Sequence, residues 1–209
     1  MLSIGEAKTY YRGAESGHDF DHARRVLALA ERLARAEGAE VEIVRAAALL
    51  HDITRAEEDA GRGGDHAQTA AARAREILVA RGIPAERAAA VAHAIAAHRF
   101  RGTVTPQTLE AQILFDADKL DSIGAIGIAR AYAISGVLNQ RLWSAIAPDA
   151  AATREQHNAS HTAPAEFVVK LSKVRERLFT KTARQIAEGR HAFMAGFFAR
   201  LEREVQGDL

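Results

Sequence analysis

The sequence contains no cysteine, which excludes disulfide bridges and thiolate metal sites and is compatible with a reducing compartment. Proline occurs only four times, β-branched runs are short and alanine is abundant, a combination that favours an all-α chain. No alternating strand pattern of useful length competes. Neither sign of charge prevails: 28 Lys and Arg against 27 Asp and Glu leave a net charge of +1. No global field therefore argues for a nucleic acid polymer or a membrane surface as partner, and any anion recognition must be local. No apolar run approaches the ~18 residues of a membrane-spanning helix. The opening stretch MLSIGEAKTYYRGAES lacks a charged segment followed by an apolar one, and we expect a soluble, cytoplasmic protein. With 209 residues, 48% of them hydrophobic, the chain is long enough to bury a real core. We expect one compact domain over 1–209, with 166–209 as C-terminal helices packed on it.

The stretch AAALLHD, Ala46 to Asp52, is the centre of what is present. Val44, Ala47, Ala48 and His51 recur at helical spacing, which puts an imidazole on the stripe that faces the core. Asp52 follows at once, and a carboxylate beside a helix C-terminus is disfavoured by the macrodipole unless something positive holds it. A divalent metal answers both demands, since imidazole and carboxylate are ordinary ligands of Mn, Co, Fe, Ni, Zn and, less comfortably, Mg.

The periodicity supplies further ligands. After a short helix and a turn at Ser16–Gly17, the spacing predicts a helix from Asp19 to Ala36, with His22, Val26, Leu29 and Leu33 on its apolar stripe. The His-Asp helix runs from Val41 to His51. Asp65 and Gln68 have the spacing of a capping box, so His66 falls in the first turn of a helix ending near Arg81, where backbone N–H groups attract anions. Pro84 opens a helix whose stripe carries Ala88, Val91, Ile95 and His98, while His93 falls on another face. A helix from Leu109 carries ILFDADKLDSIGAIGIARAY, with Asp118 on an otherwise apolar face, and a buried aspartate must be paired or ligated. Gly124 and Gly127 allow close packing. Residues 136–165, with Trp143, His157 and His161, have no steady period. Phe167, Leu171, Val174 and Leu178 resume the stripes, and a long helix with Ile186, Phe193, Phe197 and Leu201 closes the chain.

Periodicity puts His22, His51, His98 and Asp118 on apolar faces, with Asp52 attached to His51, and two histidines and two aspartates from such a group make a set that leaves positions open on a metal of five or six ligands, as hydrolysis requires. Together with the surrounding segments HDFDHARRV, AALLHDI, DADKLDSIGAIGIAR and TARQIAEGRHAFM, these residues resemble the HD superfamily of metal-dependent phosphohydrolases, in its uncharacterised bacterial branch. The resemblance covers most of the chain. It implies an all-helical HD-domain fold, a divalent metal on His22, His51, Asp52 and Asp118, and a nucleotide as small-molecule substrate, cleaved by phosphohydrolysis or pyrophosphohydrolysis. Lys119 stands where arginine is more familiar, and the loop after Asp52 is glycine-rich and acidic, so substrate choice stays open.

Arg25, Lys119, His66 and His98 are the nearest candidates to meet phosphate or move a proton. We expect phosphate contact or proton transfer from His66 and His98 rather than a second metal. Pyrophosphohydrolysis of a nucleoside triphosphate is the favoured reading. A phosphomonoesterase, a nucleotide-binding module without turnover and a diiron oxygenase are the alternatives. The sequence leaves the metal, the nucleotide and the oligomeric state open.

Overall fold

The computed structural model describes residues 2–11, 19–62, 64–100, 102–145 and 162–209. Every regular element among them is helical. The expected turn at Ser16–Gly17 and the histidines His157 and His161 lie outside the described residues. No described helix is long and apolar enough to cross a membrane.

In chain order the elements are α1 (Ile4–Lys8), α2 (Phe20–Glu37), α3 (Val41–Leu50), α4 (Arg55–Asp59), α5 (His66–Ala80), α6 (Ala85–Ala96), α7 (Leu109–Asp121), α8 (Gly124–Val137), α9 (Ala163–Val169), a 3₁₀ helix (Leu171–Arg177) and α10 (Lys181–Gln206). Their ends follow local chemistry. Ser3 and Glu6 form a capping box at α1. Gly38, with φ +77°, turns the chain out of α2 in the left-handed conformation that glycine tolerates without strain.

The chain divides into two compact units: Met1–Lys119 with Leu178–Ala183, and Leu120–Arg177 with Arg184–Leu209. In the first, α3 is the central element. Val44 and Ala46 to Leu50 are all buried, and α2, α5, α6 and α1 pack around it. A helix apolar on most faces needs such enclosure. Alanines at Ala67, Ala70, Ala71 and Ala74 of α5 and at Ala88 and Ala94 of α6 are buried where those two helices meet. The return segment is fixed by Asp116 of α7, which is wholly buried and accepts the Phe179 and Thr180 N–H groups at 2.9 and 2.7 Å and the Thr180 hydroxyl at 2.7 Å.

The second unit corrects the expectation of one helix running on from Leu109. The helix stops at Asp121, Ile123 is extended, and α8 begins at Gly124 with φ +80°. Gly127 is required there, because a Cβ would stand 2.3 Å from the Ser122 carbonyl oxygen. Its close approach is thus to the chain's own turn, with Met194 of α10 at 3.6 Å. Asp121, one turn beyond Asp118, is buried and pairs with Arg130 of α8 at 3.3 Å. The last helix also departs from the expected stripe. Its buried face is Ala183, Ala187, Met194 and Phe198, whereas Phe193 and Phe197 are exposed, because the period is set by Phe198 stacking on Phe167 at 4.9 Å.

Candidate metal centre

Six side chains converge within the first unit. His22 sits in the first turn of α2, where the Asp19 carboxylate accepts its backbone N–H at 3.0 Å. His51 is the C-cap of α3, and Asp52 begins the turn that follows. His66 is the first residue of α5, His98 stands just beyond the end of α6, and Asp118 comes from the last turn of α7. All four rings are buried, His22 and His51 completely.

The rings present Nε2 to the carboxylates, and Asp52 divides them into two pairs. Asp52 Oδ2 lies 3.7 Å from His22 Nε2 and 3.6 Å from His51 Nε2. Asp52 Oδ1 lies 3.4 Å from His66 Nε2 and 3.5 Å from His98 Nε2. His22 Nε2 is also 3.3 Å from His51 Nε2 and 3.3 Å from Asp118 Oδ1. The other ring nitrogens are held from behind: His51 Nδ1 by the Ala48 carbonyl at 2.8 Å, His98 Nδ1 by the Ile95 carbonyl at 2.6 Å and His66 Nδ1 by Glu58 Oε2 at 2.5 Å. Those oxygens accept only, so each Nδ1 carries a proton, and a ring with no second proton turns its Nε2 lone pair inward.

Electrostatics support that protonation pattern. Burial pushes His51 down to about 4 against the pull of Asp52, and burial likewise lowers His66. Both rings are neutral near pH 7. Burial works to raise Asp118, but the Lys119 ammonium beside it and the facing His22 outweigh that and hold its carboxyl well below the usual range.

Lone pairs and carboxylate oxygens thus converge on one spot with few protons to share. Burial makes such a cluster costly without a cation. Ligand bonds of about 2.0–2.2 Å to one ion leave neighbouring ligand atoms roughly 3 Å apart, close to the separations between His22, His51 and the two aspartates. The residues fit a divalent metal. Two triads among the described residues bring ligand atoms together, His22 with His51 and Asp118, and His51 with Asp52 and His98.

Of the remaining expected residues, Lys119 bonds Asp118 Oδ2 and lies 5.2 Å from the Phe115 ring centre, so its charge is directed at a candidate ligand. Arg25 is half-buried one turn after His22. His93 is apart from the cluster and accepts the Gln107 N–H at 3.3 Å, in line with its position on another helix face. His66 stands in the first turn of α5 as expected, but Asp65 caps that helix through the Ala67 N–H at 2.9 Å, one residue earlier than a capping box has it. That first-turn donor is therefore already engaged. Sequence periodicity did not point to Glu58, behind His66, or to Arg99, whose Nη1 lies 3.0 Å from Glu58 Oε1. Their only signal was an acidic loop and a cation adjoining His98.

The HD domain family matches residues 19–123, a span that holds all six converging residues. The uncharacterised protein YpgQ of Bacillus subtilis is 33% identical over 196 residues, covering 92% of this chain and 86% of its own. The crystal structure of B. subtilis YpgQ in complex with ADP superposes with a TM-score of 0.76 at 32% identity, covering 98% of this chain and 99% of that one. A structure described as an HD-superfamily hydrolase from Bacillus thuringiensis gives a TM-score of 0.73 at 28% identity, covering 97% and 94%. These likenesses extend the motif resemblance across the fold, and by them the chain belongs to the HD-domain family.

Proposed function

We propose that this chain is a metal-dependent phosphohydrolase acting on nucleotides, and that it cleaves nucleoside triphosphates to monophosphate and pyrophosphate. The family and its hydrolase-labelled member support a metal-dependent hydrolase, and the ADP complex of YpgQ supports a nucleotide as ligand. The observation that carries the reading is the convergence of His22, His51, Asp52 and Asp118 on one buried spot with two more histidines alongside.

His22, His51, Asp52 and Asp118 would hold the ion, which supplies Lewis acidity and lowers the pKa of water. The inward Nε2 atoms of His66 and His98 would accept a proton from water and, once protonated, donate to the phosphate. Arg25 on α2 adds positive charge from the side of His22, and Lys119 offsets the charge of Asp118. Release of pyrophosphate puts two further phosphates on the protein, and a cation beyond the ligand set is needed to meet them.

Lys119, Arg55 and Arg99 are each engaged by acidic side chains, which favours a second reading, a phosphomonoesterase with less cationic reach. A screen of nucleoside mono-, di- and triphosphates with Mn, Co, Ni and Mg separates the two. Monophosphate plus pyrophosphate from a triphosphate supports the first. Nucleoside plus orthophosphate, with triphosphates untouched, overturns it. Binding without any product would mark a module without turnover, and iron with oxygen consumption an oxygenase.

A further inference from the structure

We propose that Glu58 and Arg99 are positioning residues that lock His66, and with it the second half of the histidine cluster, into its inward-facing state. His66 differs from its neighbours. Backbone carbonyls hold His51 and His98 from within their own helices, and these supports persist as long as the helices do. His66 is instead held by a side chain eight residues earlier, Glu58 Oε2 at 2.5 Å. At that separation a carboxylate oxygen requires a proton on Nδ1, which leaves Nε2, 3.4 Å from Asp52 Oδ1, as the ring atom that faces the cluster.

Glu58 lies on a five-residue helix with no buried residue and no side-chain cap at its start, so it needs a hold of its own. Arg99 provides it. A single guanidinium nitrogen, Nη1, lies 3.0 Å from Glu58 Oε1 and 3.0 Å from Asp65 Oδ1. Arg99 therefore joins α4, the N-cap of the helix that His66 begins, and the turn that carries His98, to which it is adjacent in sequence. Arg55 reinforces the same carboxylate at 3.4 Å while pairing with Asp59 at 2.9 Å. The Thr54 hydroxyl, 2.9 Å from the His66 carbonyl oxygen, fixes the backbone. One cation thus sets the mutual placement of His66 and His98, the two rings that share Asp52 Oδ1.

The consequence for turnover rests on the phosphohydrolase reading, but the state of the ring does not, and the test reads both. Long-range ¹H–¹⁵N spectra of histidine-labelled protein, as purified and after addition of Mg²⁺, report which ring nitrogen carries the proton. In the parent His66 is expected as the Nδ1–H form. In Glu58→Leu and in Arg99→Gln it is expected to become a mixture of tautomers. Glu58→Gln keeps an acceptor but loses the charge that Arg99 holds, and kcat is expected to fall by about 10- to 100-fold with KM within twofold. Arg99→Lys, which keeps the charge but not the reach of the guanidinium to both carboxylates, is expected to recover only part of the loss. Arg73→Gln is the control, because it removes a neighbouring α4–α5 ion pair, Arg73 with Glu57 at 3.3 Å, and leaves the His66 contacts in place. It is expected to change neither readout. An unchanged His66 spectrum in both Glu58→Leu and Arg99→Gln, or equal losses in Arg73→Gln, overturns the proposal. If the parent hydrolyses no phosphorylated compound, the functional reading fails and the His66 spectra still decide this one.

Discussion

Removing the Asp118 carboxylate takes away the group that Lys119 and His22 both address, and leaves α7 free to form, because alanine is a better helix former than aspartate. Asp118→Ala is therefore expected to lose at least about tenfold in affinity for divalent metal and to show no turnover above background, with helical circular dichroism kept. Metal affinity by titration calorimetry checks the first, and full activity in the metal-stripped variant would contradict the assignment. The histidines predict a pH dependence for the metal-free protein. His51 is held down to about 4 in the fold against 6.5 for the free side chain, and His66 is shifted the same way. As pH falls through that interval the unfolded chain takes up protons that the folded chain refuses, so stability is full above about 6.5 and declines toward 4. The urea midpoint of chelated protein is expected to be lower at pH 5 than at pH 7.5, and a flat or rising midpoint would contradict the buried, neutral rings. The residues that bear these predictions were legible in the sequence, since a histidine or aspartate recurring on an apolar stripe is a visible anomaly. Glu58 and Arg99 were not, because they meet His66 through a loop, and a loop has no period.

Helices α2, α3, α5 and α6 are legible in the sequence, where apolar spacing and capping residues agree, and the break near residue 122 is not. There the apolar pattern continues through Ser122 while the backbone does not, because Asp121 turns to Arg130 and Gly124 takes a positive φ. The last helix is ambiguous in phase for a related reason: Phe193, Phe197 and Phe198 offer two competing stripes, and the residue that stacks on Phe167 is the buried one. Asp116 gives no local signal because its partners lie more than sixty residues ahead, a distance no local pattern spans. Asp116→Ala leaves the Phe179 and Thr180 N–H groups without their acceptor and is expected to cost roughly 2–4 kcal/mol of stability. Gly127→Ala drives a Cβ into the Ser122 carbonyl and is expected to cost about 1–3 kcal/mol. Denaturant unfolding measures both, and an effect below about 0.5 kcal/mol in either, the range of an ordinary surface change, would show that the contact is not as drawn.

Across the whole molecule, the candidate ligands all belong to the unit formed by Met1–Lys119 with Leu178–Ala183. A ligand that binds only the folded state stabilises it by about 2.7 kcal/mol at a hundred times its dissociation constant. Hydrogen exchange is therefore expected to slow on adding metal chiefly in α2, α3, α5 and α7, with α8, α9 and α10 changing less. Equal protection in both sets of helices would locate the metal elsewhere.

The same partition bears on how the protein is made. Asp116 is synthesised long before Phe179 and Thr180, and until they emerge from the ribosome its carboxylate has no backbone donors from the segment that will enclose it. At roughly 5–20 residues per second, the nascent chain waits for seconds with α2 to α7 complete but the last strap of their core unmade. A truncated message ending before Leu178 would then yield a helical product exposed to proteases and dependent on chaperones, and release of the full chain from that dependence would coincide with the arrival of Thr180.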